Sequence, residues 1–340
     1  MIIFHNKPTL GKEEQSAAGR IISSGHVAQG EEVEKFEADL CDFFGLPKNH
    51  VVAVSSGSAA LYLALWSLNG KNKKIGYPVY SCASLRNAVG MLGGENVCLD
   101  CADGSPNLDL EQAARSKIDI LIAPSMFGIP LNLPKSRNYK VVEDLAQSFG
   151  ALIKGKRIGL RGELGICSFY ATKMITSGGQ GGAVISRNKK LIDYIRDYRE
   201  FDCRKDSNLR FNFQMTDLQA AIGRAQLLKL PNFIRQRQKW FEIYRQSGLN
   251  LIDDESKIIE PVRYRIVMKC KNPKKVISAL AKADVKAIVP IEEYELLGDP
   301  NNFPYARSLA HCTVSLPAYP GLKQADVIKI AQIASEVSLC

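Results

Sequence analysis

The stretch Gly165-Ile-Cys-Ser-Phe-Tyr-Ala-Thr-Lys-Met-Ile-Thr-Ser-Gly-Gly-Gln-Gly-Gly-Ala-Val-Ile-Ser186 holds two short apolar runs, Gly165–Tyr170 and Gly182–Ser186. Their β-branched and aromatic residues and turn-forming flanks predict strands. Between them one lysine, Lys173, stands among small and hydroxylated residues, ahead of a glycine cluster. Upstream, Val141-Val-Glu-Asp-Leu-Ala-Gln-Ser-Phe-Gly150 puts Asp144 where an apolar run gives way to a loop. A lone lysine is most often a solvated surface charge. A lysine and a carboxylate at neighbouring strand ends, however, suit pyridoxal phosphate. The amine condenses with the aldehyde, and the carboxylate keeps the pyridine nitrogen protonated so that the ring accepts electrons.

Working outward, Val51–Val54 reads as a strand that runs through Ser55-Ser56-Gly57-Ser58 into an apolar helix, Ala59–Leu68. Strand, small-residue turn and helix N-terminus make an anion cradle, because first-turn N–H groups are unpaired and point outward. The same serines would also serve as an ordinary helix cap. Strands over Asn96–Asp100, Ile118–Pro124 and Tyr139–Glu143, with a helix over Leu108–Arg115, continue an alternation of strand and helix. That alternation predicts an α/β fold whose mainly parallel sheet is covered by helices on both faces, with ligands gathering beyond the carboxyl ends of the strands. Further helices are predicted over Thr9–Ser24 (capped by Thr9), Glu31–Phe44, Arg187–Arg199, Pro273–Ala283 and Gln324–Val337. Another opens at Thr216 or Asp217, and a separate helical run follows Leu230-Pro231. Strands are predicted over Val262–Cys270 and Lys286–Val289.

Several of these blocks resemble the DegT-type (DegT/StrS-like) sugar aminotransferases, pyridoxal phosphate enzymes of fold type I. The lysine block is Ser168-Phe169, Thr172-Lys173 and Gly181-Gly182-Ala183-Val184. The aspartate block is Glu143-Asp144, Gln147 and Gly150-Ala151. With supporting segments the resemblance runs from about Ser24 to Pro320. It implies a large cofactor-binding domain over residues 1–232 and a smaller C-terminal α/β domain over 233–340. Lys173 then carries pyridoxal 5'-phosphate, Asp144 meets its ring nitrogen and Gln147 its phenolic side. Ser56, Gly57, Ser58 and Ser168 hold its phosphate together with Asn212 of the partner subunit, which makes the active unit a homodimer with shared sites.

The implied activity is transfer of an amino group from an amino acid such as glutamate to a nucleotide-linked keto-sugar, in cell-surface polysaccharide or related sugar biosynthesis. Three places depart from the pattern. Cys82 stands where the family has the aromatic residue that covers the cofactor ring, leaving Cys82 and Tyr80 both open for that role. Gln214 stands where arginine is common, and Ile291–Glu295 matches poorly. Two alternatives follow: a sugar dehydratase, against which Lys173 argues because such relatives carry histidine there, and a regulatory protein that keeps the fold without turnover.

The 340 residues are 46% hydrophobic and 24% charged, which predicts a globular chain large enough for such a pair of domains. No apolar span reaches about 18 residues, so no membrane segment is expected. The nine cysteines follow no disulfide framework, which points to a reducing compartment, the cytoplasm. Cys98 and Cys101 form one C-x-x-C without a second pair, and the four histidines are dispersed, so no metal is expected. A net charge of +10 is spread along the chain rather than gathered in an arm, which disfavours nucleic acid and suits an anionic metabolite.

Overall fold

The computed structural model describes residues 2–338. Helices α1 (Lys12–Ser24) and α2 (Glu31–Phe44) precede strand β1 (Val51–Val54) and helix α3 (Gly57–Ser67). Strand β2 (Lys74–Pro78), helix α4 (Ser84–Leu92), strand β3 (Glu95–Leu99), helix α5 (Leu110–Arg115) and strands β4 (Ile120–Pro124) and β5 (Lys140–Asp144) follow. Short strands β6 (Leu152–Ile153) and β7 (Lys156–Arg157) lead to β8 (Leu164–Ser168) and β9 (Gly182–Ile185), then to helices α6 (Lys189–Arg199) and α7 (Asp217–Gln246). Beyond these lie β10 (Ile259–Glu260), β11 (Ile266–Lys269), α8 (Pro273–Lys282), α9 (Pro304–Cys312), β12 (Thr313–Leu316) and α10 (Gln324–Ser338).

Seven strands form the main sheet in the order β1-β9-β8-β5-β4-β2-β3. Neighbours from β8 through β5, β4 and β2 to β3 run parallel, and β9 alone is antiparallel to both of its neighbours. Because side chains alternate along a strand, β1 sends Val51 and Ala53 into one core with Phe36 and Leu40 of α2. Val52 and Val54 enter another with Leu61 and Leu65 of α3. Both faces of the sheet are therefore buried, as a parallel sheet requires.

An edge strand exposes unpaired backbone groups, and β1 is closed by charge. Glu37 accepts the Ala53 N–H at 2.9 Å, while Arg196 donates to the Val51 carbonyl at 2.6 Å and Arg199 to the Ala53 carbonyl at 2.9 Å. Both arginines also pair with Glu37, whose side chain is 7% exposed.

Three sequence expectations change. Helix α1 starts at Lys12 rather than Thr9, because the Glu14 carboxylate closes on the Gly11 N–H at 2.7 Å, and the Thr9 carbonyl instead accepts from Gln226. Residues 286–289 form no strand: Val285 bridges Ile3 on one side and Ile288 bridges Ser315 on the other, so the chain changes partners before a ladder can grow. Pro231 does not separate two helices but lies inside α7. An interior proline costs about 3 kcal/mol, which is offset here by apolar packing on either side of it. Leu230 and Phe233 enter the core beneath the sheet, and Trp240, Phe241 and Tyr244 enter a second core with β11, β12, α8 and α10. One helix thus runs through positions 232 and 233 and serves both cores.

Replacing Glu37 by Ala removes one of the two carboxylates on buried Arg199, Glu200 being the other, takes from Arg196 its partner, and leaves the Ala53 N–H unpaired. We expect a loss of about 3–5 kcal/mol in urea unfolding; an unchanged midpoint would show that water replaces the carboxylate at no cost.

Candidate active site

The parallel strands bring their carboxyl ends to one rim. Asp144 closes β5 and Ser168 closes β8, in the same layer as the turn that opens α3. Strand alternation separates two adjacent acids. Glu143 turns to the far side, where it accepts the N–H groups of Gly159, Arg161 and Gly162. Asp144 turns into the rim, where Oδ1 accepts the Ala146 N–H at 2.8 Å and Oδ2 has no hydrogen-bond donor among the described residues. Burial pushes this carboxyl above its ordinary value, and the Ala146 N–H and the nearby Lys173 offset that only in part.

Lys173 lies on the loop between β8 and β9, with its backbone N–H on the Tyr170 carbonyl at 3.0 Å. The neighbouring Thr172 carbonyl accepts the side-chain amide of Asn6 at 2.9 Å. The lysine Nζ sits 5.4 Å from the centre of the Tyr264 ring. Beside it opens a cavity of about 430 Å³, lined by Cys82, Phe127, Gln147, Lys173, Tyr264 and Arg265, with the 290–297 segment across the mouth.

The remaining predicted residues take distinct places. Gln147 lines the cavity and accepts the Phe127 N–H at 2.8 Å through Oε1. Cys82 also lines it, whereas Tyr80 is fully buried with its ring edge-on to Phe127 at 6.1 Å, facing the core beneath. The Ser56 hydroxyl is the N-cap of α3, accepting the Ala59 N–H at 3.1 Å, and the exposed Ser58 hydroxyl lies 3.0 Å from that of Ser84. A Cβ on Gly57 would stand 2.7 Å from the Ser168 Cβ, so glycine is what lets the turn settle on the end of β8. Asn212 is exposed and stands apart from the cavity; its side chain accepts the Gln214 N–H, and the Gln214 amide donates to Glu200.

Three cavity residues have no counterpart in the sequence reading. Phe127 adopts a left-handed conformation (φ 59°), uncommon for a bulky residue and typical of functional turns. The next residue, Gly128, has φ +87°, and a Cβ there would lie 2.7 Å from the Tyr264 nitrogen. This bare backbone admits the 262–265 segment, whose Val262 and Arg265 N–H groups reach the Gly128 and Phe127 carbonyls. Tyr264 and Arg265 enter the cavity by that route. The turn-forming run Met126-Phe-Gly-Ile-Pro130 was the available signal.

The residues present fit a pyridoxal phosphate. Oδ2 of a buried carboxylate awaits a donor such as a protonated ring nitrogen, a lysine lies within its electrostatic reach, and a helix N-terminus settles on the end of the neighbouring strand β8. Together with the sheet order this defines a fold type I pyridoxal phosphate transferase. The family model described as DegT/DnrJ/EryC1/StrS aminotransferase matches residues 8–335, and the chain belongs to that family of aminotransferases. It is 26% identical to the GDP-perosamine synthase of Escherichia coli O157:H7, over 97% of this chain and 97% of that protein. It is also 26% identical to the dTDP-3-amino-3,4,6-trideoxy-alpha-D-glucose transaminase of Streptomyces venezuelae, over 96% of this chain and 92% of that protein. The solved structure of the aminotransferase TlmJ from Streptoalloteichus hindustanus shares its fold, with a TM-score of 0.91 at 24% identity over 99% of this chain and 98% of that one.

The raised Asp144 carboxyl has a consequence for stability. Between the ordinary value of 3.8 and its higher folded value, the folded chain holds more protons than the unfolded one. Stability therefore falls as pH rises through that window and stays reduced above it. Asp144→Asn removes this penalty while keeping an oxygen for the Ala146 N–H. The cofactor-free variant is expected to melt above the wild type at pH 7, with the gap closing toward pH 4 in differential scanning fluorimetry. A variant that melts lower at pH 7 would mean that the carboxylate is stabilised by a partner absent from this account.

Proposed function

We propose that this enzyme transfers an amino group from glutamate to a keto-sugar carried on a nucleotide, for the synthesis of an amino sugar of cell-surface polysaccharide or a related glycoconjugate. The observation that carries the reading is Lys173, on the loop after β8, within electrostatic reach of the half-satisfied Asp144 at the end of neighbouring β5, beside a cavity of about 430 Å³. Named relatives that act on GDP- and dTDP-linked sugars support the acceptor class.

When bound, pyridoxal phosphate supplies an aldehyde that joins to an amine and a ring that accepts the electrons left on the neighbouring carbon. Lys173 holds it covalently. Once the donor amine takes its place, the freed Nζ is the base that removes the proton from the donor Cα and later returns one to the sugar carbon. Asp144 keeps the ring nitrogen protonated, and its burial strengthens that ion pair. Gln147 and Cys82, which both line the cavity, would meet the cofactor's phenolic oxygen and its ring, Cys82 offering a polarizable but smaller surface than an aromatic residue. Gly57, Ser58, Ser168 and the N-terminus of α3 receive the phosphate.

A homodimer completes the site, with Asn212 of the partner subunit reaching the phosphate. The exposure of Asn212 supports this, as does the aromatic run of Tyr62, Trp66, Tyr194, Tyr198, Phe211 and Phe213 beside it. The reading divides the chain into a large unit to residue 232 and a small unit from 233, and assigns it to the cytoplasm. Eight described cysteines, all free thiols, are compatible with that compartment. Among the described residues no helix is long and apolar enough to cross a membrane.

Protein purified with the cofactor is expected to show a band near ~420 nm that glutamate bleaches, and Lys173→Ala is expected to lack it. A band that no amino acid bleaches would overturn the aminotransferase reading. The shared site has its own test. Lys173→Ala and Asn212→Ala variants, each impaired alone, should recover activity when co-expressed, because one of the two sites of a mixed dimer is then intact. Absence of recovery would place Asn212 in its own chain's site or in none.

A further inference from the structure

Arg265 is a half-buried cation on the cavity wall. Its Nη1 is buried without a hydrogen-bond partner, and no carboxylate among the described residues pairs with it. Its neighbour Arg237 also keeps a buried nitrogen, Nε, without a partner, but its Nη1 is spent on the carbonyls of Arg263, Tyr264 and Ala318 and it does not line the cavity. A buried guanidinium nitrogen without a partner is costly, and such groups persist where an anion completes them.

The cavity is the place from which that anion comes. Arg265 lines it together with Lys173, and the two cations flank one ring: Nζ of Lys173 lies 5.4 Å and Cζ of Arg265 5.8 Å from the centre of Tyr264. Burial would raise the Tyr264 phenol, yet Lys173, Arg265 and Arg237 together hold it below its ordinary value. His5 gives no counter-charge, since burial, Arg265 and Arg237 push it down to about 3. Arg86 adds a further cation to the lining, while Glu295 is its one carboxylate and accepts the Glu292 N–H.

We propose that Arg265 binds a carboxylate of the amino donor, through the planar fork that guanidinium and carboxylate share. This rests on the proposed function and adds the residue that selects an amino acid over a simple amine. A carboxylate suits the position better than a sugar diphosphate does. The donor's α-carboxylate is one bond from the carbon whose amine replaces Lys173, so its anchor must stand beside that lysine. A diphosphate is set off from the reacting sugar carbon by the sugar ring.

The test uses the holoenzyme and its Arg265→Met and Arg265→Lys variants, with two readouts. Bleaching of the ~420 nm band gives the apparent dissociation constant and limiting rate for glutamate. Calorimetry gives the binding of glutarate, which has both carboxylates and no amine, and of inorganic pyrophosphate as the probe for a diphosphate site. Arg265→Met is expected to form the band but to bind glutamate and glutarate about 10- to 100-fold more weakly, the loss of a charge-assisted pair. The limiting rate and pyrophosphate binding should change far less. Arg265→Lys should recover part of the loss as a point charge without the fork, which also serves if the methionine variant folds poorly. Glutarate and glutamate bound equally by wild type and both variants would overturn the assignment and leave the aminotransferase reading intact. Loss of pyrophosphate binding alone would overturn it in favour of the acceptor's diphosphate. A wild-type band that no amino acid bleaches would overturn both.

Discussion

The rim depends on how closely three stretches of backbone approach one another at Gly182. Strand β9 runs antiparallel between β1 and β8, with Val54 and Ser168 both in register with Gly182. A Cβ there would lie 2.3 Å from the Ser56 carbonyl oxygen and 2.8 Å from the Gly57 nitrogen, contacts that no side chain tolerates. Gly57 repeats the requirement against Ser168. Bare backbone on both sides lets the N-terminus of α3 descend onto the end of β8. The lysine loop is laced to the same floor, through Phe169 N–H to the Gly181 carbonyl and Ala171 N–H to that of Gly179. The N-terminus of α3 and the lysine loop, distant in sequence, acquire their spacing from one packing constraint.

On that floor the electrostatics are arranged at a cost to the empty protein. Asp144 is buried with one N–H bond, half-buried Arg265 keeps one buried nitrogen unmatched, and Phe127 is held in a left-handed turn by Gln147. Each is a local penalty of the kind that clusters at functional sites. The penalties have opposite charge and different positions, so a ligand with a cationic ring nitrogen and a separate anionic group relieves both. Where the same chain needs only stability, as at Glu37 with its two arginines, its buried charges are fully paired.

Much of this was legible in the sequence, for identifiable reasons. The strands of the main sheet are short, rich in β-branched residues and bounded by turns, so period and punctuation located them to within a few residues. Lys173 and Asp144 stand in long, distinctive blocks, and the glycines around them report constraints that glycine alone meets. What could not be read was whatever depends on partners far along the chain. Pro231 looks like a helix stop, and only the two cores that α7 serves show why the helix continues. Residues 286–289 have strand composition, but their partners, Ile3 and Ser315, lie on opposite sides. The motif favours Cys82 over Tyr80 only slightly, and the direction of each side chain after β2 is decided by tertiary packing. Tyr264 and Arg265 carried no signal, because nothing in Val262–Cys270 reveals that Gly128 leaves room for it.

That last contact bears on how the two halves of the chain make one site. The segment bearing Tyr264 and Arg265 belongs by sequence to the C-terminal part, yet its N–H groups bind carbonyls of the Phe127-Gly128 turn, and Gln147 of the aspartate block fixes that turn in its left-handed form. From the other side, the N-terminal segment pairs Ile3 with Val285, sets His5 against Ser315 at 2.8 Å and ties Asn6 to the carbonyl beside Lys173. His5 is suited to that place because it stays neutral between Arg265 and Arg237, where a third cation would add repulsion. Three remote parts of the chain thus meet around Tyr264. The lysine and the free guanidinium reach the same ring from different segments, so a shift of either segment changes the distance between the two charges that a donor must span. On the proposed assignment, specificity for the donor is a property of this junction, and the sheet would supply the cofactor's place.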